Sequence, residues 1–107
     1  MDKRDAVRVP VRVRARCRCS GIEIDGLVED VSRSGLFLRA PEWVRPGSTA
    51  EISLDLPGEG TLHLEVAVVR VEHSSERAGM GLRVVERPET SRPLANFIMR
   101  HHANSAT

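Results

Sequence analysis

The sequence predicts an all-β fold: a small six-stranded antiparallel β-barrel with a C-terminal α-helix. Three observations carry this. Apolar and polar residues alternate in several short runs, and turn residues separate the runs about ten residues apart. A single stripe of helical period stands near the C-terminus.

The first run has a period of two from Val7 through Val9, Val11, Val13, Ala15 and Cys17 to Cys19. Arg8, Arg12, Arg14, Arg16 and Arg18 take the opposite face, as expected of a half-buried strand. Pro10 lacks a ladder donor, which places this end at an edge or a strand start. Ser20-Gly21 breaks the run. Ile22 to Asp30 then reads as a second strand, with Gly26 as a candidate bulge. Gly35 to Arg39 reads as a short third strand, and Ala40 to Ser48 as a loop whose Trp43 is expected to plug one end of the core. Glu51 to Leu56 alternates with Ile52, Leu54 and Leu56 inward. Pro57 to Gly60 forms a hairpin turn. In the fifth strand Leu62, Leu64, Val66 and Val68 share a face. A phase slip of the kind a β-bulge produces is expected to let Val69 and Val71 continue it. His73 to Ala78 reads as a polar loop and Gly79 to Glu86 as the last strand. Thr90 or Ser91 is expected to cap a helix with Pro93 in its first turn. Leu94, Phe97, Ile98 and His101 form its packing stripe.

At 107 residues the chain suits one domain. It is divided here into an N-terminal arginine segment (1–8), a barrel with its helix (9–103) and a frayed tail (104–107). Aromatics make up 3% and Tyr is absent, so the core is expected to be aliphatic. No run has the ~20 apolar residues of a membrane span, and no secretory signal is visible, so a cytoplasmic location is expected. Cys17 and Cys19 lie too close along one strand face for an unstrained bridge and read as reduced thiols. The net charge of +1 hides an asymmetry. Residues 1–18 hold seven cations against two anions, or +5, and the remaining chain sums to −4. An anion is therefore drawn to one end.

Two short motifs concentrate chemistry there. Arg4-Asp-Ala-Val-Arg8 reads R-x-x-x-R ahead of Pro10. Asp30-Val-Ser32-Arg-Ser-Gly35 reads D-x-S-x-x-G between two strands. Arg12 and Arg16 continue the four-residue spacing, but they lie inside the first strand, fixed on its polar face. Taken alone, D-x-S-x-x-G is also an ordinary turn. In chain order, with 21 residues between Arg8 and Asp30, the two motifs resemble those of the PilZ domain family. Gly79 to Glu86 is similar to that family's closing strand, so the resemblance spans nearly the whole chain.

The resemblance implies a six-stranded barrel that binds the bacterial messenger cyclic di-GMP through Arg4, Arg8, Asp30, Ser32 and Gly35. It implies no cofactor, no metal and no catalysis. The residue types suit such a ligand. An arginine fork grips a phosphate or guanine O6 and N7, and its flat face stacks on a purine. Asp30 accepts from guanine N–H donors, Ser32 is small and polar, and Gly35 lets a ligand approach the backbone. Binding is expected to order residues 1–8 and change a surface read by a separate effector protein, with motility or exopolysaccharide as outputs. The domain is expected to be a monomer or a weak dimer.

The rival readings are a barrel of this fold that serves only protein interaction, and a nucleic-acid-binding barrel. Nucleic acid is disfavoured, because Phe37, Trp43 and Phe97 are too few for stacking platforms and most of the chain is acidic. A hydrolase is disfavoured because none of His63, His73, His101 and His102 is placed to serve Ser32 as a base, and no G-x-S-x-G elbow occurs.

Overall fold

A computed structural model describes residues 8–56, 60–74 and 76–105, with side chains through residue 101. Arg4 and the rest of the N-terminal segment before Arg8 lie outside the described residues, as do three positions of the Pro57–Gly60 turn. Six strands are present: β1 (Val9–Cys19), β2 (Ile22–Val31), β3 (Gly35–Arg39), β4 (Thr49–Leu56), β5 (Gly60–His73) and β6 (Ala78–Val84). One helix, α1 (Pro88–Ser105), follows. The strands close in the order β1-β2-β3-β6-β5-β4, every pairing antiparallel. The seam is Ala15–Arg18 of β1 against Glu51–Leu54 of β4. The predicted barrel is thus the observed one.

Local chemistry explains the corners. Ser20 and Gly21 both have positive φ, 49° and 84°, which gives the two-residue hairpin whose twist matches that of the strands. β1 alternates strictly between buried and exposed positions, so its arginines face outward and its valines and Cys17 face the core. Arg16 meets Asp25 at 2.8 Å and Arg18 meets Glu23 at 3.2 Å, cross-strand pairs on the solvent face. Leu94, Phe97 and Ile98 of α1 are buried in the same core as the strand residues, so the helix stripe packs as its spacing predicts.

Four expectations fail for physical reasons. Trp43 is 43% exposed and stacks on His73, with ring centroids 5.1 Å apart. Its neighbour Val44 packs on the core instead, its N–H donating to Met80 Sδ at 3.4 Å. Val69 is half-exposed: the register shifts between Val68 and Arg70, so the bulge is real, but Val69 is the extra residue pushed outward. Gly26 pairs in register with Ala15 and is no bulge; a Cβ there would lie 2.2 Å from the Arg39 carbonyl oxygen. The helix starts before Thr90. Thr90 and Ser91 donate their hydroxyls back to the Arg87 carbonyl at 3.3 and 2.8 Å, and Pro88, which needs no amide partner, opens the first turn. Pro93 therefore falls in the second turn.

Candidate functional site

The site is built by a register shift in β2. Val28 pairs with Leu38 of β3, and Asp30 pairs with Phe37, so Glu29 is an extra residue on β2. Against β1 the count reverses, with Val11 and Arg12 opposite Glu29. The kink keeps Val28 and Val31 in the core, three residues apart, and turns both Glu29 and Asp30 to the partly exposed outer face. Asp30 is thereby placed between Pro10 of β1 and Phe37 of β3.

Arg8 lies just before β1 and reaches across. Its Nη1 donates to Asp30 Oδ1 at 2.7 Å. The two motifs, far apart in sequence, therefore meet in space. The pair is open to solvent, with side-chain exposures of 51% for Arg8 and 27% for Asp30.

Ser32 and Gly35 stand at the two ends of the turn between β2 and β3. Ser32 is 1% exposed, the only buried polar residue among the described ones. Its backbone N–H donates to the Gly35 carbonyl at 2.7 Å, and its hydroxyl donates to the same oxygen at 3.2 Å. The same hydroxyl accepts from the Gly35 N–H at 3.2 Å. This is a clamp on the β2–β3 turn. Gly35 is not at positive φ. A Cβ there would lie 2.7 Å from the Leu82 carbonyl oxygen, so the close approach that requires glycine is that of β6. Ser32 and Gly35 set the turn that fixes Asp30's neighbourhood.

A second arginine, outside both motifs, joins the site. Arg77 ends the β5–β6 turn, and its Nη2 lies 3.4 Å from Asp30 Oδ2. Its guanidinium carbon sits 3.6 Å above the Phe37 ring centroid. Phe37 points away from the barrel interior yet is 1% exposed, covered from outside by this cation. Glu29 accepts from Arg39 Nη1 at 2.8 Å and faces Arg77 Nε at 4.0 Å. Three arginines thus surround the Glu29 and Asp30 carboxylates. Sequence reading misses Arg77 because it lies in a stretch that looks like a plain polar loop. The visible signal is Phe37, an aromatic at an outward position of β3 that needs a cover.

Most of the open space lies elsewhere. A groove of about 680 Å³ runs along Arg14, Arg16, Asp25 and Ser53 on the far half of β1, away from Asp30. A recess of about 290 Å³ adjoins the site itself, lined by Arg39, Ser74, Glu76 and Arg77. Among the described residues no group of three or more His, Cys, Asp and Glu side chains could hold a metal, and no helix is long and apolar enough to cross a membrane.

Solved structures share this fold. The chain superposes on the Bacillus subtilis inhibitor of motility MotI/DgrA with a TM-score of 0.76 at 21% identity, covering 92% of this chain and 50% of that one. Escherichia coli YcgR in complex with c-di-GMP gives a TM-score of 0.80 at 14% identity, covering 94% of this chain and 46% of that one. The PilZ domain of YcgR with c-di-GMP gives 0.79 at 11% identity, with 92% and 91% covered. The chain spans about half the length of the first two proteins. No curated protein matches it. The PilZ domain family profile matches residues 2–100, which is nearly the whole chain. With that match, the closed six-strand order and the two motifs meeting at Asp30, the chain belongs to the PilZ domain family.

Proposed function

We propose that this domain is a receptor for cyclic di-GMP, with Arg4, Arg8 and Asp30 as ligand contacts and Ser32 and Gly35 shaping the turn beneath them. The observation that carries the reading is the Arg8–Asp30 ion pair, which joins the two motifs in one place. The E. coli YcgR structures, of the same fold, hold this dinucleotide.

In this reading the ligand replaces an internal contact. An exposed ion pair contributes roughly 0–1 kcal/mol, so Arg8 leaves Asp30 at little cost. Its fork then takes a phosphate oxygen pair or the guanine O6 and N7 edge. Asp30, freed on one oxygen, accepts from guanine N1–H and N2–H, a pattern adenine does not offer. Arg4 closes from the N-terminal segment, which becomes ordered over the ligand. Ordering costs about 1–2 kcal/mol per residue, and micromolar affinity needs about 8 kcal/mol net. Several charged contacts are therefore required, which explains the concentration of arginines. The ordered segment and ligand form a surface for a separate effector in the cytoplasm, with motility as one output.

Calorimetric titration with cyclic di-GMP, beside cyclic di-AMP, tests this. The expected result is saturable binding of the guanine dinucleotide alone, weakened at least tenfold in Arg8→Ala and in Asp30→Ala. Absence of heat and of thermal stabilisation in the wild-type domain at high ligand would refute it and leave a protein-interaction module.

A further inference from the structure

We infer that Arg77 is the positioning residue for Asp30 in the ligand-bound state, an inference that rests on the receptor reading. Asp30 has two arginine partners that differ in freedom. Arg8 holds Oδ1 at 2.7 Å from a side chain that is half-exposed. Arg77 approaches Oδ2 at 3.4 Å from a side chain held on several sides.

Its backbone is fixed by Ser74, whose N–H donates to the Arg77 carbonyl at 2.8 Å and whose hydroxyl accepts from the Arg77 N–H at 3.0 Å. The preceding Glu76 carbonyl accepts from Arg39 Nη2 at 3.0 Å, which ties the turn to β3. Its guanidinium carbon lies over the ring of Phe37, the cross-strand partner of Asp30. The Nε atom is buried and has no acceptor, so the ring and the two carboxylates, not a full set of hydrogen bonds, determine where this cation sits.

The division of labour follows. Once Arg8 turns to the ligand, Asp30 would rotate freely if nothing else held it. Arg77 keeps one oxygen in place, so both oxygens stay aligned for guanine N1–H and N2–H. A carboxylate oxygen carries two lone pairs and serves both partners at once. Arg77 thus acts on guanine selectivity through Asp30, without being a motif residue.

The test compares wild type, Arg77→Met and Arg77→Lys by calorimetry with cyclic di-GMP and cyclic di-IMP, which lacks the exocyclic amine. Circular dichroism checks the fold. Arg77→Met keeps the apolar cover on Phe37 and removes the charge. It is expected to lose at least tenfold in cyclic di-GMP affinity and to lose most of the preference for guanine over hypoxanthine. Arg77→Lys keeps a cation near Asp30, should retain part of both, and carries the test if the methionine variant does not fold. Equal weakening toward both dinucleotides, or wild-type behaviour of the folded variants, overturns the inference while leaving the receptor reading intact. A wild-type domain that binds neither dinucleotide overturns both.

Discussion

Cys17 shows how much one buried side chain can reveal. It is 1% exposed near the C-terminal end of β1, and burial pushes its thiol up to about 11, with the nearby Cys19 adding to the effect. An unfolded chain releases that proton near pH 9 and the folded one near 11. Between these values the unfolded state binds fewer protons, so stability falls as pH rises. The contribution is full below about pH 8.5 and is lost through pH 11, at most ~3 kcal/mol. The chain has no Tyr and a single Lys, so few side chains outside this cysteine pair titrate in this window. Urea midpoints measured from pH 8 to 11 should drop for wild type and flatten in Cys17→Ala; a flat wild-type profile would contradict the argument. The sequence made this position legible, because strict alternation fixes which face a residue takes. It did not reveal why Ser32 and Gly35 are there. Their partners are the turn's own backbone and the Leu82 carbonyl, and neither contact is encoded in the motif's spacing.

At the scale of elements, helix α1 was legible in its stripe and not in its start. Leu94, Phe97 and Ile98 repeat at helical spacing and are buried as expected. The start was misread because Thr and Ser look like caps, whereas here the Arg87 carbonyl already accepts from the Ser91 N–H at 2.9 Å. Phe97, the largest apolar side chain that α1 gives to the core, is 1% exposed. Phe97→Ala should cost about 3–4 kcal/mol in urea denaturation. Met99→Ala, at a position 68% exposed on the same helix, should stay within about 0.5 kcal/mol. Equal effects of the two would mean that the helix is not docked as described. The β2 bulge is the counterpart among the strands. Its trace in the sequence is the three-residue step from Val28 to Val31, which breaks a period of two. A bulge at Gly26 was the easier reading, since glycine marks bulges more often than an acidic pair does.

For the whole molecule, the strand count and antiparallel order followed from run lengths and turns. What could not be read was which strands close the barrel. β6 lies against β3, and that pairing carries residue 77 to residue 37 across forty positions of sequence. Arg77 becomes part of the site only through this topology. Charge is the other whole-molecule property. The net value is +1, yet the first eighteen residues hold +5, so attraction for a dianionic ligand is local and screenable. Cyclic di-GMP affinity should weaken several-fold between 50 and 500 mM NaCl, where the Debye length shrinks from about 14 to about 4 Å. Titrations at the two salt concentrations that agree within error would show that the arginines contribute mainly through shape and stacking.

The Trp43–His73 stack has an optical consequence. Trp43 is the sole indole in the chain, and its stacking partner immediately precedes Ser74, the residue that clamps the turn bearing Arg77. Any rearrangement of that turn changes the stacking and the solvent around a fluorophore already 43% exposed. The domain therefore carries its own unlabelled reporter, placed to follow the turn rather than the ligand itself.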